Sequence, residues 1–323
     1  MSQRVARSAH VEKTMSCSQC RHEDSFRCKC DHCRNGRGVV SSKYSRNVIG
    51  IQNSVNGHAV IRHIGFANLT LEQAVSLLSL KRCRGFANFD DKTVSAALDL
   101  AAVPFAPKGS YGMALIEKLR EAKILSVLNP SELDYFNFVD DEKRNEPPVP
   151  IVWNIPGNVR TNLIQDIEQC VAQSTWLQHW SDQLPDLVRA LAFAECKEFY
   201  DYCAKQRSLP TSAQRSTSVM LNNLLQDYSV AQCYRIIYAG AQAAADFLVR
   251  TSCTSQHAAN YMIGACQRWV DRARAENWVV TPFHRNHELP RSMISYVLYD
   301  DFLKTGDNGF NVSITKITLP KKM

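Results

Sequence analysis

Residues 255–277 read SQHAANYMIGACQRWVDRARAEN, and Ala259, Met262, Ile263, Cys266, Trp269, Val270 and Ala273 recur there at the three- and four-residue spacing of one helical face. A strand would put Met262 and Ile263 on opposite sides, so the period predicts a helix. Arg268, Arg272 and Arg274 fall off the stripe, which leaves one face to bury and one to solvate. The same period runs through 162–173, 187–206, 216–226, 230–249 and 291–304, with Pro290 as a first-turn proline and Gly306 as a stop. Residues 159–323 are therefore expected to form a bundle of five to seven helices. The tail breaks the pattern: Phe310, Val312, Ile314, Ile317 and Leu319 alternate incompletely and predict a strand.

Upstream of the bundle, residues 129–158 hold five of the twelve prolines beside the charged run 140–144. That composition reads as a linker, with the main domain boundary near Asn145. Residues 48–128 read as a small α+β domain. Asn56-Gly57 between β-branched runs predicts a hairpin, and Thr70-Leu-Glu-Gln73 is a capping box ahead of a helix over Leu71–Arg82. Further helices are expected over Asp91–Ala102 and Ser110–Ala122, then a strand over Ile124–Val127. Three short helices and a strand are the layout of a winged helix. The stretch Ser110–Leu125 resembles a helix of bacterial winged-helix regulators of the PadR kind, which implies a DNA-binding fold. Its cations Lys118, Arg120 and Lys123 are opposed by Glu117 and Glu121, however, so this helix reads as one that packs on protein rather than on base edges.

The chain has 323 residues, 45% of them hydrophobic, with 38 Lys and Arg against 31 Asp and Glu for a net charge of +7. That length and apolar fraction exclude wholesale disorder and allow two or three folded units. The charge is not spread evenly. Residues 1–48 hold ten Lys and Arg against four acids, so this segment carries +6 and the other 275 residues only +1. The same segment holds five of the twelve cysteines, Cys17, Cys20, Cys28, Cys30 and Cys33. Cys17-Ser-Gln-Cys20 and Cys30-Asp-His-Cys33 are two C-x2-C knuckles, a spacing that lets two thiolate pairs close a tetrahedral site around Zn2+. Cys17, Cys20, Cys30 and Cys33 are the expected ligands, with Cys28 as the alternate. A closed four-thiolate site has no open position for water, so the ion is expected to be structural. Phe26 is nearly the only large apolar residue of this short, polar segment, so metal binding would supply its folding free energy. The string from Cys30 to Gly38 resembles the C-x2-C-x-G-x-G zinc repeats of DnaJ-type co-chaperones and of some phage antitermination proteins, with Gly36 and Gly38 one residue late. The other seven cysteines are scattered through helical patterns and read as core.

No run of 18 apolar residues and no secretory signal pattern occurs, so no membrane association and a cytoplasmic location are expected. The fold class expected is mainly α, with a zinc-knuckle module over 1–47, a winged-helix-like domain over 48–128, a linker over 129–158 and a helical bundle over 159–323. Basic charge coincident with a zinc module predicts a non-enzymatic, zinc-containing nucleic-acid-binding protein, a regulatory or mobile-element (phage-related) accessory factor. Its phosphate contacts would come from Arg21, Arg27, Lys29, Arg34 and Arg37. A second reading is a protein-interaction subunit of a larger assembly, with a protein partner or a homo-oligomer. A third is a metal-dependent hydrolase built on His284-Arg-Asn-His287-Glu288 and Asp300, Asp301 and Asp307. No phosphate loop, dinucleotide fingerprint or nucleophile elbow is present, and no catalytic residue is assigned.

Overall fold

A computed structural model describes residues 65–83, 94–95, 103–127, 152–154 and 159–320. The chain divides into two units, Met1–Arg62 and His63–Met323, and the described residues all belong to the second. The described structure is mainly helical. Its elements are α1 (Leu71–Arg82), β1 (Val94–Ser95), α2 (Gly109–Glu121), β2 (Ser126–Val127), β3 (Val152–Asn154), α3 (Ile164–Gln173), α4 (Gln178–Lys205), α5 (Gln214–Asp227), α6 (Val230–Thr251), α7 (Ser255–Ala275) and α8 (Met293–Tyr296). A π-helical turn over Val159–Leu163 leads into α3, and another over Val297–Phe302 continues α8.

Helix α1 begins where its capping box predicts. The Gln73 amide donates to Thr70 Oγ1 at 3.2 Å and the Thr70 amide to Gln73 Oε1 at 3.0 Å. Leu71, Ala74, Val75, Leu77, Leu78 and Leu80 are all buried, so α1 is enclosed on every side rather than amphipathic. It packs on α2, α3, α4 and α8. Before it, the Leu69 carbonyl accepts from Trp180 Nε1 at 2.7 Å, and the Leu71 amide donates to Gln183 Oε1 at 2.7 Å. One core thus runs from α1 through the C-terminal helices, and most of the linker expected over 129–158 lies outside the described residues.

The bundle helices lie close to their expected spans, with three differences. Helix α4 starts at Gln178 rather than Leu187, because Pro185 is accommodated inside it on the exposed face. Helix α8 starts at Met293, two residues after the expected Arg291, where the amides of Met293 and Ile294 donate to Pro104 O (2.8 Å) and Phe105 O (3.1 Å). Those carbonyls satisfy helix N-terminal donors that would otherwise lack partners. The expected strand over 310–319 is absent. Its place is taken by 3-10 turns at Gly306–Phe310 and Ile314–Lys316, because Phe310 and Ile314 both turn into the core, where alternation would require a flat, paired edge. Val94–Ser95, inside the helix expected over 91–102, is a strand paired antiparallel with Val152–Trp153. The three short strands form one antiparallel sheet in the order β1-β3-β2. The hairpin expected around Asn56-Gly57 lies outside the described residues.

Helices α6 and α7 make the most intimate pair in the bundle. Gly240 on α6 faces Cys266 on α7, and a Cβ there would overlap the Cys266 sulfur and come within 3.2 Å of the Cys266 amide and 3.3 Å of Met262 O. Glycine is what permits this approach.

Candidate functional site

The residues on which the sequence reading places the metal and the phosphate contacts, Cys17, Cys20, Cys28, Cys30, Cys33, Arg21, Arg27, Lys29, Arg34 and Arg37, lie outside the described residues. The remaining cysteines are described. Cys83, Cys170, Cys196, Cys203, Cys233 and Cys266 are buried and Cys253 is half-buried. Burial pushes the thiols of Cys83, Cys203 and Cys266 up to about 12, which leaves them protonated and inert as ligands at neutral pH.

The polar centre of the described structure is a seam where the C-terminal segment meets α4. Glu195 is set among Leu191, Ala192, Cys196 and Phe199 and is almost fully enclosed, with a side chain 3% exposed. Arg285 reaches it from the loop before α8, its Nη1 donating to Glu195 Oε1 at 3.0 Å. The same guanidinium donates from Nε to Asp307 Oδ1 at 2.7 Å and lies over the Phe310 ring at 4.2 Å. Burial opposes the charge of Arg285, but Glu195 and Asp307 outweigh it and hold the guanidinium protonated. Arg291 extends the network, gripping Asp300 through both terminal nitrogens (2.6 and 3.3 Å) while its Nε donates to Ser295 Oγ at 3.2 Å. The two-pronged geometry fixes position as well as charge.

Two buried oxygens at this seam, Glu195 Oε2 and the Tyr111 hydroxyl of α2, have no hydrogen-bond partner among the described residues. Burial, and after it the negative charges of Glu72 and Glu195, raises the Tyr111 phenol well above its ordinary range. Glu198, one turn beyond Glu195 on α4, is pushed up to about 8 by burial and then by Glu195, against the pull of Lys108 and Arg285. At neutral pH Glu198 therefore holds its proton.

The structure brings together the acids of the His284–Asp307 region but gives them to arginines. Asp300 is held by Arg291, Asp307 by Arg285, and Asp301 by Arg82 of α1. His284 and His287 stand exposed on the loop. Among the described residues no three of His, Cys, Asp and Glu gather as a metal ion would require. What the arrangement does is tie the C-terminal segment to α4 through Arg285 and Glu195 and to α1 through Asp301 and Arg82. Sequence reasoning missed Glu195, although a lone acid amid apolar residues at helical spacing was its signal.

Among the described residues no helix is long and apolar enough to cross a membrane. No known family, curated protein or solved structure matches the chain.

Proposed function

We propose that the chain is a nucleic-acid-binding protein, a regulatory or phage-related accessory factor. In this reading residues 1–47 fold around a structural Zn2+ held by Cys17, Cys20, Cys30 and Cys33, and Arg21, Arg27, Lys29, Arg34 and Arg37 contact phosphates. The single observation that carries it is the coincidence, in one 48-residue segment, of six excess positive charges with five of the twelve cysteines. The fate of the other cysteines supports the same division, since six of the seven fill the core. Zinc held by four thiolates adds a formal −2, so the head keeps about four excess charges when metallated.

In this proposal the region before the bundle keeps its winged-helix-like reading, although two of its three expected helices are described and Val94–Ser95, inside the third, is a strand. In that reading α2 packs on protein. Lys118 donates to both carboxylate oxygens of Glu72 (2.9 and 2.7 Å), and Arg120 is paired with Glu117, so neither cation is offered to a groove.

The test is retention of DNA and RNA oligonucleotides by the full chain across a salt series, together with metal analysis. One zinc per chain and an affinity that falls steeply with salt are expected. Loss of the metal in a Cys30→Ser protein but not in Cys28→Ser would assign the fourth ligand. Unchanged affinity after replacing the five basic residues by alanine would overturn the reading.

A second reading, a protein-interaction subunit that binds no nucleic acid, is favoured by Trp278 and Val279, which stand 42% and 92% exposed after α7. A stoichiometric protein partner in a pull-down from the native host, with no nucleic acid, would select it.

A further inference from the structure

The near-neutral charge of residues 49–323 hides a division. Residues 159–204 carry three Lys and Arg against seven acids, whereas residues 205–291 carry ten against five. Within the basic stretch, Arg207 and Arg235 have no carboxylate partner among the described residues. Both instead lie against aromatic rings. The Arg207 guanidinium, just past the end of α4, sits 5.0 Å from the Tyr238 ring of α6, Tyr238 is 5.4 Å from Phe283 on the following loop, and Arg235 lies 5.1 Å from Phe283. Two cations thus bracket two half-buried rings in a continuous row across three elements.

The row is built rather than loosely hung. The Phe283 amide donates to Ala231 O at 3.0 Å and Gln232 Nε2 to Val280 O at 3.0 Å, which ties the loop to the first turn of α6. Arg207 Nη1 donates to Cys203 O at 3.1 Å. Glu288, on the same loop as Phe283, already accepts from Tyr202 and Gln206. His284, next to Phe283, is exposed.

We infer that this row is a second nucleic-acid contact on the helical body, taking a single strand: Arg207 and Arg235 meet phosphates while Tyr238 and Phe283 offer ring surface to bases. Unneutralised guanidinium beside aromatic rings is the combination that binds single strands with little sequence preference. A duplex keeps its base faces stacked inside, and an acidic protein surface would have no use for the rings. The inference rests on the nucleic-acid reading above but places its contacts in different residues, so the two can fail separately.

The experiment measures binding of a fluorescent oligo(dT) to five full-length proteins across a salt series. They are the wild type, the five-residue head variant, Arg207→Gln/Arg235→Gln, Arg207→Lys/Arg235→Lys, and Phe283→Leu. The double variant should bind at least tenfold more weakly at low salt, with a log–log salt slope shallower by about 1.4, or about 0.7 per lost phosphate contact. Phe283→Leu, which keeps the apolar fill, should weaken binding at least fivefold and leave the slope unchanged. Arg207→Lys/Arg235→Lys should keep the wild-type slope, and thermal melts check that each variant is folded. If the double variant binds with wild-type affinity and slope while the head variant is impaired, this inference falls and the head reading stands. If the head variant binds normally and the double variant does not, the head reading falls and this one stands. No oligonucleotide retention by the wild type sinks both. Retention of polyglutamate that the double variant loses, with oligo(dT) unaffected, would make the row a site for acidic protein and overturn the inference.

Discussion

The α6–α7 pair and the seam between α4 and the C-terminal segment are both buried, yet they are held by opposite means. Between α6 and α7 small and apolar side chains meet, with Gly240 against Cys266 and Ala241, Ala244, Ala258 and Ala259 fully enclosed nearby. At the seam, the enclosed Glu195 carboxylate and Arg285 do the joining, and Arg291 braces the C-terminal side by holding Asp300. The apolar contact tolerates no added volume, because its stability lies in close approach. The polar contact tolerates no lost partner, because each buried charge is stable only while the other is present.

The sharpest way to break that contrast is at Arg285. Arg285→Met leaves Glu195 buried and unpaired, and chemical denaturation should show a loss of about 3–5 kcal/mol. Adding Glu195→Leu should recover most of it, since an apolar pair removes both desolvation costs. A double variant no more stable than Arg285→Met alone would mean that the arginine holds the C-terminal segment through Asp307 and Phe310 instead.

Gly240→Ala should cost less, about 1–3 kcal/mol by overpacking. Combining it with Cys266→Ala should restore only some of the loss, because the α7 backbone at Cys266 and Met262 still stands in the way. Full recovery would show that the sulfur alone sets the distance between the helices.

The two regions also differ in how far they could be read from the chain. The stripe from Ala259 to Ala273 announces α7 and its buried side, because neighbours on a helix face repeat within a few residues. The capping box at Thr70 announces α1 for the same local reason. The seam could not be read so. Glu195 and Arg285 are ninety residues apart, and nothing in the local pattern of either joins them. His284 and His287 drew attention as metal-ligand types, whereas Arg285 between them carries the structure. The 310–319 tail misled because incomplete alternation cannot be told from two turns that send Phe310 and Ile314 into one core. The proposed metal site is the reverse case. It is legible in the spacing of Cys17, Cys20, Cys30 and Cys33 and lies outside the described residues.

Glu198 sharpens the comparison through pH, to which the apolar pair is indifferent. Its carboxyl is raised from an ordinary 4.5 to about 8 in the folded protein. A raised carboxyl binds its proton more tightly when folded, so its contribution is whole below pH 4.5 and is lost as pH rises through 8. The melting temperature should therefore decline across that window, and Glu198→Gln should flatten the decline and melt higher than the wild type at pH 8. Parallel profiles for the two proteins would place the pH dependence elsewhere.

The smallest expected effect concerns a charge pair that is neither enclosed nor tightly packed. Lys118 of α2 is half exposed where it meets Glu72 of α1, with side chains 54% and 24% exposed. Such pairs are screened by solvent and by the cost of ordering two long side chains, so Lys118→Gln should change stability by no more than about 1 kcal/mol. The same variant discriminates between two uses of α2. If α2 packs on protein, as its paired cations indicate, oligonucleotide affinity should not change. If α2 reads a groove, Lys118 must leave Glu72 to reach it, and the substitution would weaken duplex binding and lower its salt slope by about one phosphate contact. A fall of that size, with stability untouched, would move the nucleic-acid interface to α2 and leave the seam at Glu195 and Arg285 as the scaffold that presents it.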